Sequence, residues 1–157
     1  MRIKIFIFIL ISQFAFAQNT YVPDDNFEQA LIDLGYDDTL DDYVVTANIS
    51  GVTSLDVNSK SISDLTGIEA FIALTELRCA QNQLTSLDVS SNTALTYLGC
   101  SNNQLTSLDV SANTALTFLD PNQNQLTSLD VSANTALTDL NCDYNFLTSL
   151  DVAAIQP

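Results

Sequence analysis

Two kinds of side chain in this sequence could do chemistry: 19 carboxylates and three thiols, with no histidine anywhere in 157 residues. Without an imidazole, neither a Ser-His-Asp nor a Cys-His arrangement can form. No phosphate-binding loop, dinucleotide fingerprint or C-x-x-C pair is present, so no cofactor is implied. The carboxylates fall in columns rather than converging on one place. Asp88, Asp109 and Asp130 recur within LTSLDVS, and Asp56 and Asp151 take the same place in VTSLDVN and LTSLDVA. A solvated acidic face is the plain reading of that column. Divalent-cation binding at Asp88, Asp109 and Asp130 is the sharper alternative. Asp37, Asp38, Asp41 and Asp42 cluster as well, but without the glycine and terminal glutamate of an EF-hand loop. The cysteines, Cys79, Cys100 and Cys142, share one register and read as small buried hydrophobes. Stacked in-register positions lie about 4.8 Å apart, longer than the ~3.8 Å Cβ separation that a disulfide prefers. The sequence therefore reads as a non-enzyme.

What positions these columns is a repeat. Four 21-residue units run without gaps over 74–94, 95–115, 116–136 and 137–157, preceded by a looser 22-residue unit from Val52. A fixed period of this size means a solenoid, because one unit cannot bury an apolar face except against its neighbours. Each unit holds the pattern L-x-x-L-x-[VC] twice, as in Leu95-Leu98-Cys100 and Leu105-Leu108-Val110. The step of two places those residues inward and the residue between them outward. The pattern predicts two short strands per coil, on opposite sides of a flattened superhelix, stacked into two parallel ladders. Asn82, Asn92, Asn103, Asn113, Asn124, Asn134 and Asn145 end the half-units and are expected to turn inward and bond backbone at the corners. Pro121 stands in the cysteine column and, lacking an N–H, predicts a local defect in the ladder.

LTYLGCSNNQLTSLDVSANTA resembles the leucine-rich repeat signature L-x-x-L-x-L-x-x-N-x-L in its nested bacterial class of 21-residue units, sometimes called IRREKO repeats. The resemblance covers Val52 to about Val152. It implies a right-handed solenoid, and binding through the face of the more variable strand. YVPDDNFEQALIDLGYDD and the residues on to Phe71 look like the N-terminal region of secreted leucine-rich repeat proteins of Bacteroidetes. Asp25 and Glu28 form a candidate capping box, Phe27, Ala30, Leu31 and Leu34 share one helical face, and Gly35 is a natural stop. A helix there would cap the first coil.

One half of each unit is nearly constant; the other drifts. The drifting outward positions are Glu76 and Arg78, then Tyr97, then Phe118 and Asp120, then Asp139, Asn141 and Asp143, with Tyr144 beside them. Aromatics set among charges on a water-facing strand are what interfaces favour. The expected partner is a protein or a glycan.

The formal net charge of −15 repels phosphate backbones, so nucleic acid is not a partner. MRIKIFIFILISQFAFA has a basic start, an apolar run and Ala15-Phe16-Ala17, the form of a cleaved secretory signal. It is shorter than the roughly 20 apolar residues of a span, so no membrane insertion follows its cleavage. These features predict three segments: 1–17 signal peptide, 18–51 helical cap region, and 52–157 solenoid, secreted or at the cell surface. At the far end LTSLDVAAIQP has Ile155 where the turn asparagine would stand, and no polar cap follows Leu147, Leu150 and Val152. The expectation is a fragment of a longer array.

Overall fold

The computed structural model describes residues 18–151 and 153. The signal-peptide segment, Val152 and Ile155 lie outside the described residues. Element order is β1 (Asn19–Tyr21), α1 (Asp25–Asp33), β2 (Tyr43–Val45), α2 (Thr46–Ile49), β3 (Ser54–Asp56), a 3-10 turn (Ile68–Ala70), β4 (Glu76–Arg78), β5 (Tyr97–Gly99), β6 (Phe118–Asp120) and β7 (Asp139–Leu140). β1 and β2 pair antiparallel, and β3 to β7 form one parallel sheet in sequence order. No helix among the described residues is long and apolar enough to cross a membrane.

The parallel sheet follows from the step of two. Leu55, Leu77, Leu98 and Leu119 point inward and are fully buried, in register from one strand to the next. Val57, Cys79 and Cys100 follow them into the core. Their N–H groups continue the ladder, as Cys79 donates to the Gly99 carbonyl (2.8 Å) and Cys100 to that of Asp120 (3.0 Å). Pro121 cannot do the same, and β7 is correspondingly a two-residue strand.

The second predicted ladder does not form. Leu84, Leu105 and Leu126 and the valines Val89, Val110 and Val131 are fully buried, so the inward pattern holds, but these segments are not strands. Two competitors take the backbone. The Leu84, Leu105 and Leu126 N–H groups donate to the Oδ1 atoms of Asn103, Asn124 and Asn145 in the next coil. Asp88, Asp109 and Asp130 each accept the N–H two residues on, from Ser90, Ser111 and Ser132. An Asx turn of this kind offers the chain an alternative to a ladder. The repeated aspartate is thus turn chemistry.

The inward asparagines behave as expected. Asn103 Nδ2 donates to the Cys79, Cys100 and Ser101 carbonyls, tying its own coil to the one before. The residue ahead of each such asparagine (Gln81, Asn102, Gln123, Tyr144) has a left-handed φ near +55°, which turns the corner. On the other side Asn92, Asn113 and Asn134 are fully buried and donate to carbonyls of the preceding coil.

Helix α1 starts one residue earlier than the capping-box pattern suggests. Its N-cap is Asp24, whose Oδ1 accepts from the Asn26 and Phe27 N–H groups. The other oxygen accepts from the Ser63 N–H and hydroxyl and from the Asp64 N–H, so docking against the first coil selects Asp24 over Asp25. Glu28, freed from capping, reaches the loop that follows and accepts the Asp41 and Tyr43 N–H groups. Phe27, Ala30 and Leu31 are buried, with the Phe27 and Phe71 rings 6.5 Å apart. Leu34 instead is 45% exposed, because the helix ends there. Gly35 donates to Ile32 and Tyr36 to Leu31, a C-terminal cap that requires the +79° φ of Gly35.

Candidate functional site

On each strand of the parallel sheet the middle residue is inward, so the first and third line one outward face. The first column runs Ser54, Glu76, Tyr97, Phe118, Asp139; the second runs Asp56, Arg78, Gly99, Asp120, with Asn141 next. Glu76, Arg78, Tyr97, Phe118, Asp120, Asp139 and Asn141 therefore do share a surface. Asp143 lies beyond the strand and is exposed. Tyr144 does not belong with them. It sits at the corner, 78% exposed, in the left-handed position that holds Gln81, Asn102 and Gln123 in earlier coils.

Asp56 is a further correction. It pairs with Arg78 and lies on the strand face, outside the column of Asp88, Asp109 and Asp130. Ser54 also joins this face, donating to Glu76 Oε2 across a separation of 22 residues. That 22-residue offset was the available signal: VTSLDVN stands where the drifting half of a unit belongs, despite having the letters of the constant half.

The centre of the face is a stack. The Tyr97 and Phe118 rings are parallel with centroids 4.3 Å apart. The Arg78 guanidinium lies 4.5 Å from the Tyr97 centroid, on the side away from Phe118, and donates to Glu76. Glu76 is held below the usual carboxylate range by hydrogen bonds from Arg78 and then Ser54, and Arg78 is raised by its bond to Glu76. The pair is ionised at neutral pH. Gly99 makes room: a Cβ there would meet the Tyr97 ring at 3.3 Å, so the ring lies across the glycine. Further along, the Asp120 carboxylate accepts from the Asn122 N–H, and Asn122 Nδ2 donates to Asn141 Oδ1.

The constant side offers different chemistry. A hollow of about 410 Å³ is bordered there by Ser86, Leu87, Asp88, Ser107 and Asp109. Its carboxylates are already engaged. Hydrogen bonds from the Ser90 and Ser111 hydroxyls and N–H groups hold Asp88 and Asp109 below the usual range, and those of Ser132 do the same for Asp130. Among the described residues no group of three or more His, Cys, Asp or Glu is arranged to hold a metal ion. In the 37–42 loop, burial and the charges of Glu28, Asp38 and Asp41 push Asp37 up, against a bond from the Asp38 N–H. The thiols are free, Cys79 and Cys100 buried and Cys142 partly exposed. Burial pushes Cys79 up to about 12 and raises Cys100 well above the ordinary thiol value.

A family model for leucine-rich repeats matches two copies over residues 72–113. Internalin J of Listeria monocytogenes serotype 4b is 45% identical over 75 residues, 48% of this chain and 8% of the relative. The solved functional domain of InlJ from the same species, described as including a cysteine ladder, superposes with a TM-score of 0.80 at 44% identity. That match covers 88% of this chain and 31% of the solved one. An internalin, InlF, of L. monocytogenes strain 4b F2365 gives a TM-score of 0.67 at 20% identity over 85% of this chain and 46% of its own, a likeness of fold. This chain thus spans a small part of the relatives that it matches. It has the leucine-rich repeat fold and homology to Listeria internalin J.

Proposed function

We propose that the chain is an exported, non-catalytic recognition module that binds a protein or glycan ligand through the outward residues of β4 to β7. In this reading residues 1–17 are a cleaved signal, α1 caps the first coil of a solenoid of 21-residue units, and the Cys79-Cys100-Cys142 column parallels the cysteine ladder of InlJ. The observation that carries the proposal is the Arg78–Tyr97–Phe118 stack. Half-buried rings stacked on one another across neighbouring strands, with charges around them, form a rigid surface that loses little entropy on binding. Homology to internalin J is consistent with a protein-interaction module. The rival reading, an acidic spacer that gathers divalent cations, loses support because Asp88, Asp109 and Asp130 spend an oxygen each on their own turns.

A panel of extracellular proteins and glycans, screened by surface plasmon resonance on the immobilised full chain, tests this. A ligand of the wild type should be lost at least about tenfold by Tyr97→Ala/Phe118→Ala, since buried interface aromatics dominate binding energy. It should be retained by Asp109→Asn on the constant side, with both variants folded by circular dichroism. Retention by the double aromatic variant sinks the proposal.

A further inference from the structure

The ring pair has two ends, and they are built alike except for one group. In the strand register Glu76 pairs with Tyr97, Tyr97 with Phe118, and Phe118 with Asp139. The parallel rings are therefore flanked by a carboxylate on each side along the sheet. At the Glu76 end the arrangement is filled: Arg78 bonds that carboxylate and stacks on the outer face of Tyr97. At the Asp139 end the residue equivalent to Arg78 is Asn141, which carries no charge. Neither basic residue of the described chain reaches this end. Arg78 is at the other, and Lys60 pairs with Asp33. Asp120 adds a second carboxylate diagonally, in the register position of Gly99. Asp120 Oδ1 accepts the Asn122 N–H and Asp139 Oδ2 the Thr138 hydroxyl, so each carboxylate keeps its other oxygen for an incoming donor.

We infer that the outer face of Phe118, with the carboxylates of Asp139 and Asp120, is a seat for an arginine side chain of a partner polypeptide, repeating in trans the Glu76–Arg78–Tyr97 arrangement. The inference rests on the strand face being the recognition surface. A guanidinium suits the seat better than an ammonium, because it is planar, stacks on a ring, and offers forked donors to a carboxylate. Charge complementarity points the same way, with a formal net charge of −15 drawing cationic partners. A neutral glycan could stack on the ring and donate hydroxyls to Asp139, but it would carry no charge to match the carboxylates.

The test uses a fluorescent hexa-arginine peptide with the full chain, and hexa-lysine and hexa-citrulline peptides as controls. Hexa-arginine should bind more tightly than hexa-lysine, and hexa-citrulline should not bind. Phe118→Leu keeps apolar bulk and removes the π face; Asp139→Asn removes one charge. Each should weaken hexa-arginine by about three- to tenfold, whereas Asp109→Asn, an equal charge change on the constant side, should leave it within about twofold. Equal weakening by Asp109→Asn and Asp139→Asn, or equal binding of the lysine and arginine peptides, overturns the seat and means diffuse attraction. A separate arm divides the two proposals. A ligand that depends on Tyr97 and Phe118 but not on Asp139 refutes the seat alone. One that depends on none of the three refutes the recognition face too.

Discussion

The carboxylate of Asp24 accepts both the N–H and the hydroxyl of Ser63, at 2.9 and 2.6 Å, across 39 residues of sequence. One side chain thereby caps α1 and fastens it to the first coil. Burial alone would raise its pKa, but bonds from Ser63, Phe27 and Asp64 outweigh it and lower the value from 3.8.

Replacing Asp24 by alanine should destabilise the chain by about 2–4 kcal/mol, a lost helix cap plus buried donors left unpaired. The sign with pH follows from the lowered value: the charged form is the stabilising one. The contribution is complete above pH ~3.8 and disappears as pH falls through the lower folded value. Urea midpoints for wild type and Asp24→Ala should therefore converge on acidification. A gap that widens below pH 3.8 would contradict this role.

Asn103 stands for the inward corner asparagines, with one acceptor and three donor bonds to backbone of its own and the preceding coil. Asn103→Ala should cost about 3–6 kcal/mol, because the Leu84 N–H and two carbonyls lose partners out of reach of water. Asn145 makes the same kinds of bond at a partly exposed position, so Asn145→Ala should cost less than half as much. Equal losses in chemical denaturation would mean that burial does not set the cost.

Pro121→Val should restore the ladder bond that proline omits, from residue 121 N–H to the Asn141 carbonyl, matching the Cys100 bond to Asp120. A gain of about 1 kcal/mol is expected, with slower amide exchange along β7. Faster exchange there would show that proline was a support rather than a gap.

Thiol labelling at pH 8 should modify Cys142 alone in the folded chain, with Cys79 and Cys100 reacting only on unfolding. Both buried thiols are raised by burial, so the reactive thiolate is scarce as well as shielded. Cys142→Ala should abolish native labelling. Two reacting thiols in the folded state would mean that the coil interior opens.

The period, the inward leucines and valines, the asparagine corners and the proline defect were all legible in the sequence, because each depends on local spacing and residue chemistry repeated in every coil. The drifting positions were legible as a group for the same reason: they alternate with Leu77, Leu98 and Leu119. Tertiary structure alone decided which half of each unit became a strand. LTSLDVS has the alternation of a strand, yet its backbone is claimed by Asn103, Asn124 and Asn145 from the next coil and by its own aspartates. The aspartate turn is local, whereas the asparagine bonds come from a coil 19 residues on and are not visible in one unit read by itself. Nor is the choice of Asp24 over Asp25, which a serine 39 residues away determines. The flat stacking of Tyr97 on Phe118, and the open end beside Asp139, likewise exist only once successive coils lie side by side, since contact across the sheet depends on register.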